Sequence, residues 1–419
     1  MDHVSRLARY RLLAVLYASQ FFPLGFFYYA LTAVLRKRGV PLEQIGALQL
    51  LALFWVVKFA WAPLLDRYGS RRLGHYRGWL LLLQGLMVVA VLLLLPLDVG
   101  DDLPLVFVLV GTIAFLSATQ DVATDATAVR VLLPSERGLG NGIQLACGYF
   151  GFIVGGGGIL VIYDHLGWAA AVGVLALVTA VPIPFVLQYR ESSRHIAVTA
   201  GSEPRQNVSF RALADFFHQP GIARLAADRA ATELHGDRHG VQAHHADAGR
   251  HRLAPGLDRG RRRLRWRRRC HGQRAVAGAV LNTLGRRTAL LVFGVIAVAA
   301  VAMLAALLVE RPTVVVVLGV VILVNVAYAC VGTTIFTLSM DWSRRETAGT
   351  DYTIQTSVAV MCSDVAGAAG LSFAGIVGYP TVIAMALALA LGGMAAAARL
   401  PSEPPSFRRT GTPDPVPLA

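Results

Sequence analysis

Apolar residues run along this chain in stretches of about twenty, separated by short polar segments; they neither alternate nor mark a single helical face. A hydrocarbon core about 30 Å thick is crossed by roughly 20 helical residues rising about 1.5 Å each. Windows of about 19 residues therefore predict membrane spans over 12–34, 44–65, 79–97, 105–129, 142–163 and 167–188, and again over 288–309, 313–338, 351–377 and 380–399. Six lie in the first half and four in the second. The expected fold class is all-α and integral to a membrane. The start of the chain runs straight into the first apolar stretch and reads as an uncleaved first span.

The polar segments orient these spans, because Lys and Arg near span ends are retained on the cytoplasmic side. Arg6, Arg9 and Arg11 precede the first span, Arg67, Arg71, Arg72 and Arg77 follow the second, Arg130 and Arg137 the fourth, and Arg190, Arg194, Arg205 and Arg211 the sixth. Both termini are thus expected in the cytoplasm, and the membrane is expected to be the bacterial inner one. Arg36, Lys37 and Arg38 break this pattern, and the sequence offers no reason for it.

An internal repeat divides the design in two. ERGLGNGIQ, from Glu136 to Gln144, is echoed by ETAGTDYTIQ, from Glu346 to Gln355, with Gln144 and Gln355 211 residues apart. DRYGSRR, from Asp66 to Arg72, has a weaker echo in NTLGRR, from Asn282 to Arg287, with Gly69 and Gly285 216 apart. Two independent pairs with nearly one offset imply two six-span halves and twelve spans in all. The expected organisation is an N-terminal half over 1–190, a linker over 191–220, the rest of the C-terminal half over 281–400 and a tail over 401–419.

Spans seven and eight should then fall within 221–280, where no stretch can cross a bilayer. Between Gly221 and Ala275 there are 14 Arg, 5 acids and six of the eleven His, which accounts for +9 of the net charge of +14. A charged residue at a span centre costs roughly 2.5 to 3.5 kcal/mol, and RRRLRWRRR carries seven. Three readings compete. One is a basic insert for nucleic acid or lipid, which would have to replace two helices. Another is a His site from His235, His239, His244 and His245, which lacks a Cys or acid in frame. The third is a stretch translated out of frame, since Arg codons read one base later begin with G and encode Gly, Ala or Val. Arg runs then become small apolar runs. The frame reading is preferred, and neither a nucleic-acid partner, a metal nor a cofactor is expected.

Cys147, Cys270, Cys330 and Cys362 are dispersed and read as buried thiols. Gly155 to Gly158 and Gly138 to Gly142 lack the strand, helix and Lys context of a phosphate loop. Close helix packing is the better reading. No Ser, His and Asp set is evident, so no enzyme is expected.

The segment KFAWAPLLDRYGSRR, from Lys58 to Arg72, resembles the cytoplasmic signature loop of major facilitator transporters. The resemblance implies the major facilitator fold and a gate formed by Asp66, Gly69, Arg71 and Arg72, with Arg130 and Arg137 in the facing loop. TQDVATDATAVRVLLPSERGLGNGIQ, from Thr119 to Gln144, and DWSRRETAGTDYTIQ, from Asp341 to Gln355, resemble the subgroup of bacterial siderophore permeases of the rhizobactin and pyochelin type. Anhydromuropeptide permeases and acetyl-CoA transporters are its relatives. The resemblance covers about 12–220 and 281–399 and fails across 221–280. It implies a monomeric carrier importing a siderophore-like solute with protons, or else a muropeptide or other amphiphile permease. A chain inactive through its disrupted frame is a further alternative.

Candidate pathway residues are the polar groups within otherwise apolar spans, where an ionisable side chain is costly and normally meets a partner or an aqueous cavity. Asp121 and Asp125, four apart, share a helix face. They read equally as a relay or as ion pairs with Arg130, Arg137, Arg71 or Arg72. Asp364 lies 13 residues after Asp351, roughly 20 Å along a helix, and is a candidate for taking up and releasing a proton. Gln20, Tyr28, Gln120, Gln144, Asn325, Tyr328 and Gln355 line the cavity or bond helix to helix.

Overall fold

The computed structural model describes residues 5–70, 72–191, 286–308 and 313–398, and among them every element is helical. Helix α1, Arg6–Lys37, has 32 residues. Ser5 starts it, its Oγ accepting from the Ala8 N–H at 3.2 Å. Pro23 removes one backbone donor and crowds the preceding turn, and the helix relaxes into a π-turn over Phe26–Leu31. Helix α2 spans residues 42–67 but is broken, alternating short α segments with 3-10 turns over Ala47–Ala52 and Lys58–Ala60. The expected second span, 44–65, thus falls on short helical segments, which are not among the helices long and apolar enough to cross a membrane. Helices α3, His75–Leu92, and α4, Leu103–Val131, match the third and fourth expected spans.

Residues Pro134–Gln188 run as 55 helical residues, about 80 Å at 1.5 Å each and too long for a single crossing. Gly167, at φ 81°, breaks the run. Only glycine adopts that backbone freely. The kink separates α5, residues 137–166, from α6, residues 168–188, where a polar loop over 164–166 is expected from sequence. The second part comprises α7, Arg286–Leu308, α8, Val314–Asp341, α9, Ala348–Val377, and α10, Tyr379–Ala397. The expected linker beyond Glu191, the Arg- and His-rich stretch over 221–280, Cys270, Arg71 and the tail lie outside the described residues.

Seven helices among the described residues, counting Pro134–Gln188 as one, are long and apolar enough to cross a membrane. Helices α1 and α5 approach through glycines, as expected from the Gly-rich stretches. A Cβ on Gly155 would lie 1.9 Å from the Phe22 carbonyl oxygen and one on Gly151 2.6 Å from that of Ala18. The apolar core of the first part forms two layers. One packs Phe26, Leu31, Leu48, Met87 and Val110, all from the first part. The other, at the end carrying the Arg-rich loops, packs Leu13, Leu65, Leu80 and Val129 together with Met340, Ala348 and Tyr352 of the second part. Between them lies a buried polar layer.

Two members of the Arg36, Lys37 and Arg38 cluster find acidic partners in three dimensions. The cluster sits at the opposite end, where Lys37 pairs with Asp164 and Arg38 lies 3.7 Å from Asp98. The Gly100 N–H donates to Asp98 at 2.7 Å and, with Arg38, holds that carboxyl below its usual range. The positive charge at this end is thus locally matched by acids.

Candidate functional site

The buried polar layer is built from α1, α2, α4 and α5. Asp121 and Asp125 lie on one face of α4, 3% and 1% exposed. Asp121 receives the Lys58 ammonium on one oxygen and the Gln20 Nε2 on the other at 2.7 Å. Asp125 accepts from the Tyr17 hydroxyl at 2.8 Å and from Gln144 Nε2 at 3.3 Å. The Gln144 side-chain oxygen in turn accepts from the Tyr352 hydroxyl of α9 at 3.4 Å. Gln120 donates to Gln84 at 2.9 Å, and the Gln84 amide reaches the Thr179 carbonyl. A chain of hydrogen bonds therefore runs from Asp125 into the second part of the protein.

Of the two readings of these acids, relay or ion pairs with arginine, the described residues show no arginine on either acid. Arg130 and Arg137 point elsewhere, and the cation on Asp121 is Lys58. No salt bridge reaches Asp125 among the described residues. Lys58 was missing from the candidates because its segment draws attention to its Arg-rich end. The available signal was rarity, since Lys37 and Lys58 are the only lysines of the chain.

A second constellation joins the two parts at the Arg-rich end. Asp66, buried at the end of α2, accepts from the N–H groups of Gly349 at 3.1 Å and Thr350 at 2.7 Å and from the Tyr76 hydroxyl. Those N–H groups belong to the first turn of α9, where unsatisfied donors and the helix dipole favour an anion. Arg137, itself buried, donates to the Met340 carbonyl and to Asp341, both at 2.8 Å. Arg286 holds the other oxygen of Asp341 at 3.0 Å and donates to the Pro134 carbonyl at 2.6 Å. The arrangement follows the repeat. The end of α2 docks on the start of α9, and Arg286, within the echoing NTLGRR, docks at Pro134 just before α5.

Arg130 stacks over Tyr76 at 4.4 Å, donates to the Arg345 carbonyl at 3.2 Å and meets Glu191 at 3.4 Å. Glu191 also accepts from the Tyr76 N–H at 3.2 Å. It was absent from the expected set. Gly69 serves by close approach, because a Cβ there would fall 2.1 Å from the His75 ring, while the positive φ of this turn, 98°, belongs to Gly74. Arg72 is exposed. These hydrogen bonds between the two parts all involve Arg286 or a residue within 337–352 on the second part. The parts are therefore clasped at one end.

The remaining candidates of the second part are spread over α8 and α9. Gln355 donates to the Ser339 and Asp351 carbonyls at 3.1 and 3.0 Å, tying α8 to α9. Asn325 donates to the Val321 carbonyl of its own helix at 2.8 Å. Tyr328 is half-buried on α8. Asp364 is half-buried near the middle of α9, and Tyr28 is half-buried on α1. No cluster of three or more metal-ligating side chains occurs among the described residues.

Solved structures share this architecture. A bacterial homologue of the iron transporter ferroportin, in an outward-facing state, aligns with a TM-score of 0.65 at 16% identity, covering 94% of this chain and 98% of that one. The human organic anion transporter MFSD10 aligns with a TM-score of 0.63 at 13% identity, covering 93% and 99%. At such identities the likeness carries the fold. In sequence, the anhydromuropeptide permease of Escherichia coli strain K12 is 37% identical over 158 residues, which are 38% of this chain and 32% of the permease. The chain thus spans about a third of the length of that relative. The model of the Major Facilitator Superfamily matches residues 13–227, more than half of the 419 residues, and the chain belongs to that superfamily.

Proposed function

We propose that this multi-pass membrane protein is a permease of the bacterial inner membrane that imports a muropeptide or similar amphiphile with protons. The observation that carries transport is the clasp. The hydrogen bonds that form it lie at one end, next to a buried layer of acids, as expected of a carrier whose two halves rock about a central site. The Arg-rich end is cytoplasmic on this reading, with both termini there, so the clasped state faces outward. The identity with anhydromuropeptide permease favours the muropeptide class over the siderophore class that the sequence motifs also suggest. Asp66, Arg130 and Arg137 form the gate, and Asp121, Asp125 and Asp364 are the proton-handling candidates.

Uptake of labelled anhydromuropeptide into proteoliposomes, driven by an imposed pH gradient, is the test, with a ferric siderophore as the competing solute. Accumulation of the siderophore alone would reverse the assignment. Asp364→Asn is expected to abolish accumulation against the gradient while sparing exchange of labelled for unlabelled solute. Unchanged gradient-driven uptake removes Asp364 from the mechanism.

The superfamily match ends at residue 227, just inside the Arg- and His-rich stretch. This supports a reading-frame disruption over 221–280. A coding sequence with no stop codon in the alternative frame across that window is expected, and repairing the frame should restore uptake if the present chain inserts without transporting. Stop codons there would defeat this reading.

A further inference from the structure

Lys58 is the least expected group in the buried layer. Its side chain is 5% exposed, and Asp121 is the acceptor found for it among the described residues. An ammonium carries three donors. Removing two charges from water is expensive, and a buried ion pair is often no more stabilising than apolar residues of the same volume, so stability alone gives weak grounds for the pair. The helix also departs from regular geometry here, with the 3-10 turn beginning at Lys58 itself. Irregular turns inside helices commonly mark functional positions.

The surroundings of Lys58 have the composition of a binding site. The ammonium lies 4.9 Å from the centroid of the Trp55 ring. Trp55 stands beside Phe21 at 5.4 Å, and Phe21 beside Phe152 at 5.3 Å, giving a wall of aromatic faces. Two buried polar atoms of this group have no hydrogen-bond partner among the described residues: the Trp55 indole N–H and the side-chain oxygen of Gln20, whose amide shares Asp121 with Lys58. Gln20 is 0% exposed. Buried polar atoms are normally paired, and here one donor and one acceptor are left over beside one cation and an aromatic wall.

We infer that Lys58 anchors a carboxylate of the transported solute, that Asp121 is the resident counter-ion this carboxylate displaces, and that Trp55 with Gln20 receives the adjoining ring and its polar substituents. The ligand class is a carboxylate-bearing amphiphile with a saturated or aromatic ring. The inference rests on the muropeptide reading, since a muropeptide carries both peptide carboxylates and sugar rings. Charge balance follows from the groups that face Lys58 and the acids. These are Tyr17 and Gln20 on α1, Asp121 and Asp125 on α4, Gln144 on α5 and Tyr352 on α9. The entering carboxylate takes over the Lys58 charge and leaves Asp121 uncompensated, so one proton enters with it onto the Asp121 and Asp125 pair.

Binding of labelled anhydromuropeptide, in its free-acid form and as its methyl ester, to the purified full chain in detergent tests this. The wild type is expected to prefer the acid by about tenfold or more, the equivalent of one charge-assisted contact. Lys58→Gln should reduce the preference to within about twofold, and Lys58→Arg should keep it. Should Lys58→Gln fail to fold, the double variant Lys58→Gln with Asp121→Asn, which leaves two neutral amides facing each other, is read in the same way. A preference that survives loss of the ammonium, or a wild type that binds acid and ester alike, overturns the role of Lys58 and leaves the muropeptide reading standing. Binding of neither form overturns both.

Discussion

Asp341→Ala will unfasten the clasp at the Arg-rich end. Asp341 is fully buried and holds two guanidiniums, Arg137 at 2.8 Å and Arg286 at 3.0 Å, one from each part of the protein. Removing the acid strands Arg137, whose side chain is only 8% exposed, with its charge uncompensated. Breaking a buried pair in this way costs about 3–5 kcal/mol. Arg137 keeps its bond to the Met340 carbonyl, which a neutral acceptor makes weaker than a charged one. The clasped state alone contains the pair across the two parts, so the cost falls on that state and the balance shifts toward the unclasped one by about a hundredfold or more. Thr337, fully buried and facing Asn141 across the interface, reports the shift. A Thr337→Cys probe on a cysteine-free background should react with a water-soluble thiol reagent far faster once Asp341 is removed. An unchanged labelling rate means that the pair does not hold the state.

The spans were legible because the hydrocarbon core imposes its thickness on the sequence, and the ten apolar runs correspond to helices within a few residues. The acids of α4 were legible because ionisable residues are rare in such runs and their spacing places them on one face. Their partners were not. Lys58 and Asp121 are 63 residues apart, and Tyr352 meets Gln144 from 208 residues away. A membrane helix is apolar toward lipid and toward its neighbours alike, so its pattern does not tell which face meets which helix. The pairing of Arg38 with Asp98 and of Lys37 with Asp164 was hidden for the same reason. The clasp was half-legible. The repeat named its two loops, yet the capping of α9 by Asp66 depends on backbone N–H groups, which no side-chain pattern displays.

That capping yields the second large effect. Asp66→Asn and Gly349→Ala are each expected to weaken the clasp, and the two together should cost little more than either alone. The Asp66 carboxylate bonds two backbone donors at the positive end of α9, and hydrogen bonds to a charged group contribute about 1.5–3 kcal/mol. Asn keeps the shape but loses the charge that the helix dipole and the two donors favour. Gly349→Ala attacks the same contact from the other side, because its Cβ would lie 2.5 Å from Asp66 Oδ1. That oxygen sits on a buried side chain also tied to the Tyr76 hydroxyl, so it has little room to yield. With the carboxylate already displaced by the added methyl group, converting it to an amide removes nothing further. The coupling measured in the double-mutant cycle should therefore reach about 1 kcal/mol or more, within the range for residues in contact, when labelling of the Thr337→Cys probe is compared across the four backgrounds. Additive effects would show that Gly349 and Asp66 act on the clasp separately, and the assignment of Asp66 as the anion that docks α9 would then fail.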